Sequence, residues 1–149
     1  MIRRPPRSTL DRSSAASDVY KRQVGDLFHF GHVNLLKKAS ELGDHLIVGV
    51  HSDKTVEGYK RLPIMTMEER IATISSCRYV DEVIPNAPLS IDLGWINKHK
   101  INLVVHGDDF SEDLLQDCYK VPIEMGIFHL LPYTSAISTS EIIRRCKNT

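Results

Sequence analysis

Asp26-Leu27-Phe28-His29-Phe30-Gly31-His32, which runs at once into Val33–Leu42, decides how this chain is read. Two histidines three apart flank a glycine where a loop turns into a helix. Gly31 carries no Cβ, so the backbone there can approach a ligand closely. A helix start presents unpaired N–H groups and a partial positive charge. Imidazoles beside that pole suit an anion rich in oxygen, and phosphate is the obvious candidate. The bland alternatives are a satisfied histidine pair or half of a metal site, although zinc would want further Cys or His at close spacing.

Outward from that turn, the chain alternates helix and strand. Val33, Leu36, Ala39 and Leu42 recur at helical spacing, and Gly43 stands where a glycine ends a helix. Leu46–Val50 is a short apolar run of the buried-strand type. A polar loop follows over His51–Pro63, then Thr66-Met67-Glu68-Glu69 reads as a capping box opening a helix that buries Ile71, Ile74 and Cys77. Val80–Ile84 is a second strand, stopped by Pro85. Ser90 is placed to cap a helix through Lys98, a reading that Gly94 weakens. Leu103–His106 is a third strand with Gly107-Asp108-Asp109 at its carboxyl end. Ser111 caps a further helix, Ile127–Leu131 is a fourth strand, and Ser138-Thr139-Ser140-Glu141 opens the last helix. The pattern predicts an α/β, Rossmann-like domain: a parallel sheet, helices on both faces, right-handed crossovers. Ligands of such sheets sit beyond the carboxyl ends of the strands, where the histidine turn, Gly107–Asp109 and Ser138–Ser140 all fall.

The 149 residues make one domain's worth of chain, and Lys plus Arg balance Asp plus Glu at 19 each. Neither nucleic acid nor an anionic membrane is indicated as a partner. No apolar run is long enough to span a bilayer. Cys77, Cys118 and Cys146 are odd in number and far apart, which fits a reducing compartment and a cytoplasmic location.

The histidine turn resembles the H-x-G-H signature of the nucleotidyltransferase superfamily, in its cytidylyltransferase branch. Three more landmarks of that branch stand in order: Arg78-Tyr79-Val80-Asp81-Glu82-Val83, His106-Gly107-Asp108-Asp109, and Ile137-Ser138-Thr139-Ser140-Glu141-Ile142-Ile143. The resemblance implies transfer of CMP from CTP to a small phosphoalcohol (phosphoethanolamine, phosphocholine or glycerol 3-phosphate) with release of pyrophosphate. A phosphomonoester is already anionic near neutral pH, so the chemistry needs positioning and charge stabilisation rather than a general base. Mg²⁺ is expected to accompany the triphosphate.

The resemblance also assigns roles. His29 and His32 would donate to triphosphate oxygens. Lys60, ten residues before Arg70, matches a lysine of the choline-phosphate relatives and would act as a mobile cation, with Arg61 as runner-up. Asp26, Gly31, Gly107 and Asp108 belong to the nucleotide site, and a plain turn is the alternative for Gly107-Asp108. Ser138, Thr139 and Ser140 would cap a helix and donate to phosphate. Arg78 falls on the substrate side, near a contact that makes relatives dimers, so a homodimer is implied. The arginine that relatives often keep before the Ser-Thr-Ser run is missing, and Arg144 or Arg145 are its candidate substitutes. Two readings compete with the cytidylyl one. An adenylyltransferase would typically have Thr at position 29, and a nucleotide-binding protein without turnover would suit a damaged front end.

That front end is residues 1–23. Met1–Gln23 is rich in Arg, Ser and Pro without apolar periodicity. It can be read as a transit peptide, against which Asp11 and Asp18 count, but it resembles a translated sequencing adapter more closely. Relatives have a hydrophobic strand before the turn; Gly25 replaces their usual Phe, and their upstream glycine is absent. The expectation is therefore a non-native-looking or disordered segment at 1–23, a nucleotide-binding domain at 24–149, and a first strand missing or replaced. At most, 18–24 would run beside Leu46–Val50 and leave a badly filled slot.

Overall fold

The computed structural model describes residues 17–58, 60–108, 112–134 and 136–149. The expectations for residues 1–16, Asp109 and Ser111 fall outside these described residues. Among the described residues five parallel strands form one sheet: β1 (Asp18–Gln23), β2 (His45–Val50), β3 (Glu82–Ile84), β4 (Leu103–Gly107) and β5 (Phe128–Leu131), in the order β3-β2-β1-β4-β5. Six helices connect or follow them: α1 (Phe30–Ser40), α2 (Asp53–Glu57), α3 (Met67–Ser75), α4 (Leu93–Lys98), α5 (Glu112–Glu124) and α6 (Thr139–Lys147).

Strand alternation divides the apolar side chains between two cores. On one face Val19, Leu46, Val48, Val50 and Val105 pack with Leu36 and Ala39 of α1 and Ile74 of α3. On the other, Tyr20, Ile47 and Val104 pack with Ile96 of α4 and with Leu115, Cys118 and Tyr119 of α5. The expected α/β class with helices on both faces is the observed one.

The first strand corrects the expectation most sharply. Residues 18–23 do run beside β2, as the most that was expected of them, but they do so as the central strand of the sheet, paired over six positions from Asp18↔His45 to Gln23↔Val50. The expected boundary at residue 23 therefore cuts through the sheet. The physical reason lies in which part of the strand is dry. Val19 and Tyr20 are fully buried in the two cores and satisfy the sheet's apolar demand. Pairing with β4 covers only Val19↔Leu103 and Tyr20↔Val104, and beyond Tyr20 the two strands separate. Lys21, Arg22 and Gln23 consequently end in a polar crevice, not a hydrocarbon core. Lys21 Nζ donates to Arg22 O at 2.8 Å, and Arg22 donates from Nε to the Tyr119 hydroxyl at 2.6 Å. Buried cations satisfied in this way escape the penalty that an unpaired charge would carry.

Several element ends also differ from expectation for local reasons. α1 stops at Ser40, leaving Leu42 exposed, and α4 is capped by Asp92, whose Oδ1 accepts from Trp95 N at 2.8 Å, not by Ser90. α2 is capped by Ser52 within the stretch read as loop; at five residues it is too short to show apolar periodicity. In α5, Pro122 cannot donate to the carbonyl of Cys118 four residues back, and that carbonyl accepts from Ile91 N at 2.9 Å. The accompanying kink at Tyr119 sets its hydroxyl beneath Arg22.

Candidate functional site

A cavity of about 560 Å³ opens at the carboxyl end of the sheet, between β1 and β4. Its wall includes most of the positions expected from sequence: Asp26, His29, Gly31, His32, Lys60, Gly107, Ser138, Thr139 and Ser140. Asp108 and Arg78 do not line it. The Asp108 carboxylate accepts from Tyr133 N at 2.9 Å and so shapes the turn whose Tyr133 does line the cavity. Arg78 lies by a shallow depression with Phe28, Val33, Cys77 and Tyr79, and its guanidinium stands 5.7 Å from the Tyr79 ring centroid. Arg144 and Arg145, the candidate substitutes for the missing arginine, instead pair with Glu141 on the exposed face of α6.

The histidine turn is a capping box built from imidazoles. His29 is the N-cap of α1, and its Nδ1 accepts from Gly31 N at 3.1 Å; His32 Nδ1 accepts from His29 N, also at 3.1 Å. These bonds fix the tautomer, because a neutral imidazole whose Nδ1 accepts must carry its proton on Nε2. The two rings stack with centroids 3.9 Å apart, and Phe28 stacks on His32 from the other side at 5.4 Å. Both nitrogens left over are therefore N–H donors. Burial holds the His29 pKa below its ordinary value. Burial, helped by the charges of His29, Lys21 and Lys60, pushes that of His32 down to about 3. The backbone entering this turn is constrained: Gly25 has φ +69°, and a Cβ there would stand 2.6 Å from Ile74 Cδ1. The glycine that replaces the family's usual Phe is thus required by this path of the chain.

Three further wall residues were not singled out as site residues from sequence. Arg22 NH1 lies 2.9 Å from His51 Nε2, and His51 Nδ1 lies 3.0 Å from Ala87 O. A carbonyl only accepts, so His51 is protonated on Nδ1 and receives the guanidinium on Nε2. His106 is oriented the same way, with Nδ1 2.9 Å from Gly107 O. Burial lowers His51 to about 4 and His106 to about 2, with the Lys21 charge contributing in both cases. The signal that could have found Arg22 is its place at the carboxyl end of a parallel strand directly before a glycine turn.

Three histidines held neutral by burial have a consequence for stability. Each would bind a proton near pH 6.5 when unfolded, but in the folded chain only near pH 2 to 4. Stability is thus fully present above pH 6.5 and falls as pH drops from there toward the folded values, because the unfolded state binds more protons. The slope approaches about 1.4 kcal/mol per pH unit for each histidine. Melting temperatures measured between pH 7.5 and 4.5 should fall steadily below pH 6.5, and His51→Gln should flatten the curve. A level profile would contradict the assignment of neutral buried imidazoles.

The α6 end of the cleft serves structure as well as ligand access. Ser138 Oγ accepts from Glu141 N at 3.0 Å as the helix cap, and Thr139 Oγ1 donates to Asp26 O at 2.8 Å. Ser140 sits at the rim.

By its fold and the place of its cleft, the chain is a doubly wound α/β domain of the kind that takes ligands beyond the carboxyl ends of its strands. It matches the cytidylyltransferase-like family over residues 26–145 and belongs to that family. It is 48% identical over 134 residues to the ethanolamine-phosphate cytidylyltransferase of Arabidopsis thaliana, a match covering 85% of this chain and 32% of that protein. To the enzyme of the same name from Dictyostelium discoideum it is 46% identical over 125 residues, covering 80% of this chain and 35% of the other. Choline-phosphate cytidylyltransferase A of Rattus norvegicus is 40% identical over 130 residues, covering 85% and 35%. The chain spans about a third of the length of these curated relatives. Among solved structures, the lipopolysaccharide core biosynthesis protein of Thermoplasma volcanium superposes with a TM-score of 0.64 at 29% identity, covering 80% of this chain and 97% of that one. Pantothenate synthetase of Thermus thermophilus shares the fold alone, with a TM-score of 0.59 at 13% identity over 91% of this chain and 67% of that one.

Proposed function

We propose that this domain is a cytidylyltransferase that transfers CMP from CTP to a small phosphoalcohol, phosphoethanolamine first among the candidates, with phosphocholine and glycerol 3-phosphate behind it. In this reaction a phosphomonoester oxygen forms a bond to the α-phosphorus of CTP. The bond from that phosphorus to the β-phosphate bridging oxygen breaks, and pyrophosphate leaves. The observation that carries the reading is the histidine turn. Its two Nε2–H groups, kept neutral and oriented by backbone bonds, line the same cleft as Lys60. Preorganised donors of this kind stabilise charge as it moves onto the leaving group without reorganising during the step. The relatives' names favour phosphoethanolamine over its rivals.

Mg²⁺, brought with the triphosphate, would supply further neutralisation of its oxygens. Among the described residues no cluster of three or more His, Cys, Asp or Glu is built to hold a metal, so nucleotide oxygens rather than a protein cage would carry it. Asp108 is better suited to holding the Tyr133 turn than to receiving the base, and Ser140 remains a candidate phosphate contact. In this reading the enzyme works in the cytoplasm as a homodimer, with Arg78 near the contact. No described helix is long and apolar enough to cross a membrane.

Pyrophosphate release on mixing the chain with CTP or ATP and each phosphoalcohol tests the proposal. CTP with phosphoethanolamine should give the fastest release. Faster release with ATP would make it an adenylyltransferase, and CTP binding without release would make it a nucleotide-binding protein. Lys60 provides a second check. Lys60→Ala should weaken CTP or phosphoalcohol binding by about 10-fold or more, and Lys60→Arg should rescue only part of it, because a planar fork cannot replace a point charge. If Arg61→Ala were the damaging change and Lys60→Ala silent, the functional cation would be Arg61.

A further inference from the structure

Asp26 stands in the cleft wall, yet its carboxylate is directed at protein. Oδ2 accepts from Ile64 N and Oδ1 from Met65 N, both at 2.9 Å. Arg61 NH1 lies 3.7 Å from Oδ2. The side chain is all but fully buried. Its backbone carbonyl accepts from Thr139 Oγ1, so one residue joins the histidine turn, the start of α6 and the segment 60–66.

In the segment 60–66, Leu62 and Ile64 are 58% and 56% exposed, so these two side chains add little apolar burial to its placement. At its near end Lys60 N donates to Val56 O at 2.8 Å. At its far end Met65 O accepts from Nε of Arg70, a fully buried side chain that also donates to Val24 O at 2.7 Å and to Asp53 at 2.6 Å. The residues between are gripped from one side by a carboxylate on two N–H groups and from the other by a guanidinium on a carbonyl.

From this geometry we infer that Asp26 is a positioning residue: it latches the 60–66 segment across the cleft mouth and so sets where the Lys60 ammonium stands over the nucleotide phosphates. The inference rests on the cytidylyltransferase reading for its consequence, though not for the latch itself. It also explains why a carboxylate is tolerated beside a polyanion. The charge is absorbed by two amides and Arg61, so little of it faces the ligand.

Two measurements on the full chain test it. The first is amide hydrogen exchange in Asp26→Ala and in the isosteric Asp26→Asn. Exchange at Ile64 and Met65 should quicken about 10-fold or more in the alanine variant, and at one of the two in the asparagine variant, with β2 amides unchanged. The second is a double-mutant cycle with Lys60→Ala. Asp26→Ala should lower kcat/KM for CTP by about 30-fold in the parent chain, but by less than about 3-fold once Lys60 is gone, because both changes disable one device. Unchanged exchange at both amides would overturn the latch. An undiminished loss on the Lys60→Ala background would show that Asp26 acts on substrate directly. If the parent chain transfers no CMP at all, the functional reading fails, and exchange alone decides the latch.

Discussion

Replacing His32 by alanine is expected, on the proposed activity, to lower CMP transfer by about 100-fold or more, the loss typical of removing one preorganised donor from a transition state. The expectation follows from how the ring is held. Its Nδ1 is occupied by the His29 amide, Phe28 and His29 stack on its faces, and the Nε2–H is what remains for a ligand. Stability should respond far less. The variant loses one capping acceptor, worth about 1 kcal/mol, and melts a few degrees lower at most. His32→Asn separates the two effects, because its side-chain oxygen can still accept from the His29 amide while nothing reaches as far as Nε2. Turnover should fall as in the alanine variant, with the melting temperature closer to the parent's. A near-normal rate in either variant would remove His32 from the mechanism.

What the sequence could reveal about this cleft depended on whether a residue's role is local. The histidine turn was legible because a cap, a glycine and two imidazoles are a contiguous device, and Thr66 and Ser138 were legible as caps for the same reason. The alternation of apolar runs was enough for a doubly wound sheet. Residues 18–23 look unfit for a central strand when their composition is taken as a whole. A central strand needs apolar side chains only where both faces are covered, and here Val19 and Tyr20 suffice. Lys21 and Arg22 reach the point where β1 and β4 part, which no local pattern announces. The partners that make Arg22 tolerable, His51 and Tyr119, lie 29 and 97 residues away. Asp26 shows the same limit in reverse. The resemblance implies a place in the nucleotide site, and nothing local announces that its carboxylate meets amides 38 and 39 residues further on.

Gly31 makes the separation of activity from stability sharp, since activity should fall there while stability barely moves. A Cβ built on Gly31 stands 3.0 Å from both Cε1 and Nδ1 of His29 and 3.1 Å from Ile137 Cγ2. Those contacts are tight but not prohibitive, so Gly31→Ala folds and the His29 ring has to give. It has little room to do so, because the His32 ring lies against it. Turning the His29 ring costs the alignment of its Nε2–H and lengthens the bond that Nδ1 accepts from residue 31. A displacement approaching 1 Å in a positioning group can cost about 100-fold, so CMP transfer should fall by roughly 10- to 100-fold. Meanwhile residue 31 lies inside the first turn of α1, where alanine is favoured over glycine by up to about 1 kcal/mol. The weakened cap offsets that gain, so the melting temperature should stay within a few degrees of the parent's, and CTP affinity should drop less than turnover does. If Gly31→Ala kept its full rate, the His29 ring would not need the orientation that its cap imposes, and His32 would be left as the sole donor of the pair.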